Sequence, residues 1–287
     1  MNATTTVKIF RFRLYQVRAF LPPLFLAFVG CVTDSHLPGT IDRETQKEHL
    51  ADLHTQLAIA YMEKGDNELA WKRLQRALAI KSDYPNVHNV LGSLYQRLNR
   101  MGKAEWHYRR AIALNPSYSD AYNNLGVLLC ATGRQMDAER YFLKAMANPS
   151  YREPEIVMSN AGDCAYSIGD LQKAETYLRR ALSFNIRLSG PLLTMAALSF
   201  TKGRTLSARR YLRRYFDVAT HTARSLWLGV RIEKQLGNRS AVSSYALLLE
   251  KYYPNSSEAQ RLRELEVYKE IHGKVSDYYH DYSFFAR

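Results

Sequence analysis

The sequence predicts an all-α chain, a solenoid of about six stacked helix pairs closed by a C-terminal capping helix. Three observations predict it. First, aligning the chain on Leu57, Leu91 and Leu125 superposes "LAIAYMEKGDNELAWKRLQRALAI", "LGSLYQRLNRMGKAEWHYRRAIAL" and "LGVLLCATGRQMDAERYFLKAMAN" with a period of 34 residues. Second, small residues hold fixed places in that frame: Ala58, Gly92 and Gly126, then Ala70, Ala104 and Ala138, then Ala77, Ala111 and Ala145. Third, only 14 Gly and 9 Pro occur in 287 residues, among many Ala, Leu, Tyr and Arg, a balance that favours helix.

The N-terminal element differs from all that follows. Residues 1–30 carry Lys8, Arg11, Arg13 and Arg18 with no acid, and then the apolar run "AFLPPLFLAFVG". That run is too short to span a bilayer, which takes about 20 residues, and Pro22–Pro23 would break it as a helix. A cationic start, a short apolar core and small residues at its end describe a signal peptide. The following "FVGC" resembles the bacterial lipobox, with Phe28 in place of the usual Leu. The resemblance implies cleavage before Cys31 and a diacylglyceryl group on that cysteine, whose multiple acyl chains are enough for stable anchoring. Val32, where an Asp would signal retention at the inner membrane, implies the inner leaflet of the outer membrane. Cys31 and the polar stretch to residue 48 read as a lipidated tether.

Residues 49–256 hold the repeats. The fourth unit places Gly162, Ala174 and Ala181 in the small-residue slots after a two-residue insertion near "NPSYREP". The fifth offers Ala196, Ala208 and Tyr215, and the sixth Val230, Val242 and Leu249. Gly65, Gly133, Gly169, Gly203 and Gly237 recur at the middle of each unit, with Asn99 in that slot once, as a left-handed turn between two helices requires. Pro85, Pro116 and Pro254 separate one unit from the next. Leu91, Leu94, Tyr95 and Leu98 form a stripe that no helix pair can bury alone, so each unit leans on its neighbours. A side chain larger than Ala at 92 or 126 is expected to hold the helices apart. This pattern is similar to the tetratricopeptide repeat, which implies a right-handed superhelix whose first helices line a concave groove. Residues 257–272 are expected to form a capping helix begun by an N-cap among Asn255–Ser257, and 273–287 an aromatic-rich tail.

The repeat frame nominates groove residues: Ile59, Met62, Asn89, Ser93, Arg97, Asn123, Val127, Tyr166, Phe200, Trp227 and Arg231. Asparagines there can hydrogen-bond an extended peptide and apolar neighbours can grip its side chains. The sequence offers no catalytic or metal constellation. Its eight histidines are scattered and form no zinc spacing, and no nucleophile elbow or phosphate loop occurs. No cofactor is expected beyond the acyl chains as a modification. Cys130 and Cys164 sit in apolar helical patterns and read as small buried hydrophobes rather than a bridge or a metal pair. The net charge is +13, but the cations read as spread along the chain, which argues against nucleic acid as a partner.

Within residues 207–265, "SLWLGVRIEKQLGN" and the "YPNSSEAQ" join resemble the PilF/PilW family of type IV pilus biogenesis lipoproteins. The resemblance implies a non-enzymatic pilotin that helps the pilus secretin reach the outer membrane and multimerise. Its implied partners are the secretin subunit, other envelope pilus proteins and the membrane leaflet. An envelope scaffold for cell-wall or outer-membrane assembly is the alternative.

Overall fold

The computed structural model describes residues 43–265, so the signal peptide, Cys31 and the aromatic tail lie outside the described residues. Among the described residues there are thirteen α-helices and no strand. They divide into two compact units that meet in sequence at Leu114 and Asn115. Unit 1 contains α1 (Arg43–Glu63), α2 (Asn67–Ile80), α3 (Pro85–Arg97) and α4 (Met101–Leu114). Unit 2 contains α5 (Ser119–Ala131), α6 (Gln135–Met146), α7 (Pro154–Ser167), α8 (Leu171–Phe184), α9 (Ser189–Thr201), α10 (Thr205–Phe216), α11 (Ala223–Gln235), α12 (Arg239–Tyr252) and α13 (Ser257–Arg263). Odd-numbered helices up to α11 are the first (A) helix of a repeat, and each packs on the B helix that follows it.

Two boundaries move. The tether expected to run to residue 48 ends earlier, because α1 starts at Arg43. Lys81, at the end of α2, binds Glu44 and Glu48 on these added turns and so ties them to the first repeat. The capping helix, expected over 257–272, ends at Arg263, and its remainder from residue 266 lies outside the described residues. The Ser256 hydroxyl caps it by accepting from the Ala259 amide at 3.1 Å.

The turn slots behave as the sequence predicts. Gly65, Gly133, Gly169, Gly203 and Gly237 have φ between +71° and +85°, and Asn99 has φ +58°. The next residue begins a B helix. Asp66, Asp170 and Asn238 there each accept a hydrogen bond from the backbone amide three residues on. Arg134 and Arg204 fill the same slot without capping and pair with Asp137 and Glu175 instead.

Packing explains the small-residue slots. A Cβ built on Gly92 would lie 2.5 Å from the Tyr108 ring, one on Gly126 2.7 Å from the Phe142 ring, and one on Gly162 2.6 Å from Leu178. The expectation that anything larger than Ala at 92 or 126 would hold the helices apart agrees with this, and the limit is tighter still, since even a methyl group requires the facing ring to shift. The reason is the residue sixteen positions later, which comes from the B helix and fills the space itself. Unit six inverts the pair, with Val230 on the A helix and Ala246 on the B helix, both in one core cluster. Helix α9 is largely apolar and mostly buried because α7, α8, α10 and α11 all pack against it, its few polar groups being hydroxyls such as those of Thr194 and Ser199.

Cys130 and Cys164 form a disulfide between α5 and α7, with Cα atoms 5.9 Å apart. This corrects the reading of both as plain buried hydrophobes. They lie 34 residues apart on α5 and α7, two places out of repeat register because of the two-residue insertion between these repeats, and the packing of α5 on α7 brings them together.

One charge pair is deeply set. Glu233 of α11, nearly buried, receives both nitrogens of the Arg209 fork from α10. Glu233→Gln is expected to lower unfolding stability by about 2 kcal/mol, because one charged partner is then left without its counter-ion. Chemical denaturation checks this, and a variant within 0.5 kcal/mol of wild type, the usual spread of neutral surface changes, would contradict it.

Candidate functional site

The A helices of unit 2 stand side by side and are bridged across one face. The Asn160 amide donates to the Asn123 carbonyl oxygen at 2.9 Å, joining α7 to α5. The Thr194 hydroxyl donates to Asp163 at 2.6 Å, joining α9 to α7. Tyr166 and Thr201 bring their hydroxyls to 3.5 Å. Farther along, the Arg231 guanidinium of α11 lies 4.6 Å over the Phe200 ring of α9.

These contacts sort the predicted groove residues. Phe200, Trp227 and Arg231 come together, and with Val230, Lys234, Gln235 and Leu265 they line an apolar hollow with a basic rim. Tyr166 and Val127 are half-buried on the same run of A helices. Asn123 is only 1% exposed and spends its carbonyl on Asn160, so the expected peptide-binding amide is instead part of the wall. In unit 1, Ile59 and Met62 are half-buried against the core, Asn89 is buried and Arg97 is exposed. Ser93 turns inward, its hydroxyl donating to the Asn89 carbonyl and meeting the Tyr108 hydroxyl at 3.2 Å. Asn160, Asp163 and Thr194 were missed in the sequence. The signal was present for Asp163, which follows Gly162 as Ser93 follows Gly92.

Unit 1 carries a second polar feature, at the seam between α3 and α4. The His88 Nε2–H donates to the Ser82 carbonyl at 3.1 Å, which leaves its Nδ1 to accept from the Nδ1–H of His107 at 3.0 Å. This arrangement needs His88 neutral, because its Nδ1 must accept, whereas His107 can donate its Nδ1–H in either protonation state. His107 also stacks on Tyr95 and meets Trp106 edge-on. Burial pushes both histidines below the ordinary value, His107 to about 4, helped there by the neighbouring His88 and Lys103. As pH falls from 6.5 toward 4 the unfolded chain takes up protons that the folded chain refuses, so stability is whole above the unfolded value and declines below it. We expect a loss of about 2 kcal/mol between neutral pH and the lower limit, with solvent screening at the half-buried ring included. Urea titrations of wild type and His107→Phe at a series of pH values measure it. Parallel pH curves for the two proteins would refute this role.

Among the described residues no group of His, Cys, Asp and Glu could hold a metal ion, and no helix is long and apolar enough to cross a membrane. The tetratricopeptide-repeat models match residues 107–140, 85–118 and 157–185, and a further TPR repeat model matches 51–99. The chain superimposes on the crystal structure of PilW, described as a widely conserved type IV pilus biogenesis factor. The TM-score is 0.68 and the identity 31%, over 74% of this chain and 97% of that one. The chain belongs to the PilW family of type IV pilus biogenesis factors. A second family structure, that of Pseudomonas aeruginosa PilF, gives a TM-score of 0.69 at 28% identity, covering 76% of this chain and 99% of that one. In sequence, the Pseudomonas aeruginosa type IV pilus assembly protein PilF is 28% identical over 240 residues, 84% of this chain and 95% of the relative. Family members therefore share the repeat-bearing part of the chain, in which the bridged face lies.

Proposed function

We propose that the chain is a type IV pilus pilotin: a non-enzymatic adaptor, anchored by acyl chains on Cys31 to the inner leaflet of the outer membrane. It would help the pilus secretin to reach that membrane and multimerise there. The observation that carries this reading is the 31% identity to PilW across 97% of that chain. The A-helix face supports it as a protein-binding surface, since tetratricopeptide repeats in pilus biogenesis imply protein partners. The Phe200–Trp227 hollow suits an apolar side chain of a secretin segment, and Arg231 and Lys234 on its rim suit an acidic neighbour of that side chain. The disulfide suits an oxidising compartment such as the periplasm.

Deletion of the gene, complemented by wild type, Cys31→Ser or Trp227→Ala, tests this. Secretin should remain monomeric in the deletion strain and surface pili should be lost. Cys31→Ser should leave secretin at the inner membrane, and Trp227→Ala should lower co-purification of secretin about tenfold. Normal secretin multimers in the deletion strain would exclude the pilotin reading.

A further inference from the structure

Between Lys173 and Arg239 fourteen lysines and arginines stand against three acids, Glu175, Asp217 and Glu233. The cationic surplus is thus concentrated in one part of unit 2, not spread along the chain as its sequence reading held. Two of the three acids are already engaged. Glu175 is held by Arg179, Lys202 and Arg204, and Glu233 by Arg209.

Where α8 runs into α9, two large apolar side chains face water: Phe184 is 56% exposed and Ile186 66% exposed. Arg180 stands one turn before Phe184, and Arg187 follows Ile186. From α10 the Arg214 guanidinium donates to the Ile186 carbonyl at 3.1 Å, and Arg210 stands one turn before it. All four of these arginines are exposed. A single exposed apolar residue needs no explanation. Two within three residues, with Arg214 bonded to the backbone at Ile186 and Arg180, Arg187 and Arg210 at neighbouring positions of the same segments, have the make-up of a surface that lies in a membrane interface, with apolar tips below and cations at the phosphate level.

We propose that this edge of unit 2 rests on an anionic phospholipid surface. Phe184 and Ile186 enter the headgroup layer, while Arg180, Arg187, Arg210 and Arg214 meet lipid phosphates. Charge complementarity selects an anionic surface, and the bare aliphatic chain of Ile186 selects lipid over nucleic acid, which has no hydrocarbon boundary to receive it. The inference extends the anchored reading without depending on acylation. It gives the protein a second contact that would fix its orientation on the leaflet.

The test uses the full chain carrying Cys31→Ser, so that a polarity-sensitive fluorophore can be placed at Ile186→Cys alone. The same label at Met136→Cys is the control, since Met136 is 87% exposed and begins a B helix, at the other end of the helix pairs. Vesicles are either phosphatidylcholine alone or phosphatidylcholine with an equal part of phosphatidylglycerol. The expected result is a blue shift at 186, absent at 136, on the phosphatidylglycerol vesicles only, and weakened by salt. Replacing Arg180, Arg187, Arg210 and Arg214 by glutamine should lower affinity at least tenfold, with unchanged circular dichroism. No shift at 186, equal shifts at both positions, or no requirement for phosphatidylglycerol would overturn the proposal. So would retention of duplex DNA by this edge without a shift on vesicles. Palmitate incorporation at Cys31 is measured separately, so loss of the anchor reading would leave this result standing.

Discussion

Gly126→Leu is expected to destabilise unit 2 by about 4 kcal/mol or more, enough to leave the third repeat unfolded at 37 °C. A Cβ alone at this position would come 2.7 Å from the Phe142 ring, so three further carbons have nowhere to go. Phe142 is fully buried on α6, and moving it would open the contact between α5 and α6. Neighbouring repeats cannot compensate, because each buries its own stripe on the next and local loss spreads. Thermal and denaturant unfolding measure the effect. The double variant Gly126→Leu/Phe142→Ala should recover at least about 1 kcal/mol relative to Gly126→Leu, since the lost ring makes room for the new side chain. Unfolding indistinguishable from wild type, or a double variant less stable than the sum of its parts, would contradict the packing described for this slot.

Removal of the Cys130–Cys164 disulfide has the second largest expected effect. The bridge closes a loop of 34 residues that spans α6 and joins two A helices. Chain-entropy arithmetic for a loop of that size gives about 3–4 kcal/mol. Reduction, or Cys130→Ser with Cys164→Ser, should therefore lower the melting temperature of oxidised protein by at least about 5 °C at neutral pH. Hydrogen exchange should rise first in α5, α6 and α7. Equal melting of reduced and oxidised protein, with the bridge verified by mass spectrometry, would show that the closed loop adds nothing to the stack.

The amino-acid sequence by itself determined the repeat. Small residues, turn glycines, Asn99 and the prolines act on the backbone within a few residues, so their spacing could be read directly and the helix pairs follow from it. The same frame placed Phe200, Trp227 and Arg231 on one kind of helix. Tertiary structure alone decided which side chains meet between repeats. It joined Cys130 to Cys164, closed Asn123 against Asn160, turned Ser93 to Tyr108, and set His88 against His107. It also decided that even a methyl group at Gly92 or Gly126 would force the Tyr108 or Phe142 ring to shift, because those rings already fill the space. Such contacts link residues 15 to 37 positions apart. They depend on how far each helix rotates about its axis and on which rotamer each side chain takes, and neither is written in the spacing of one helix.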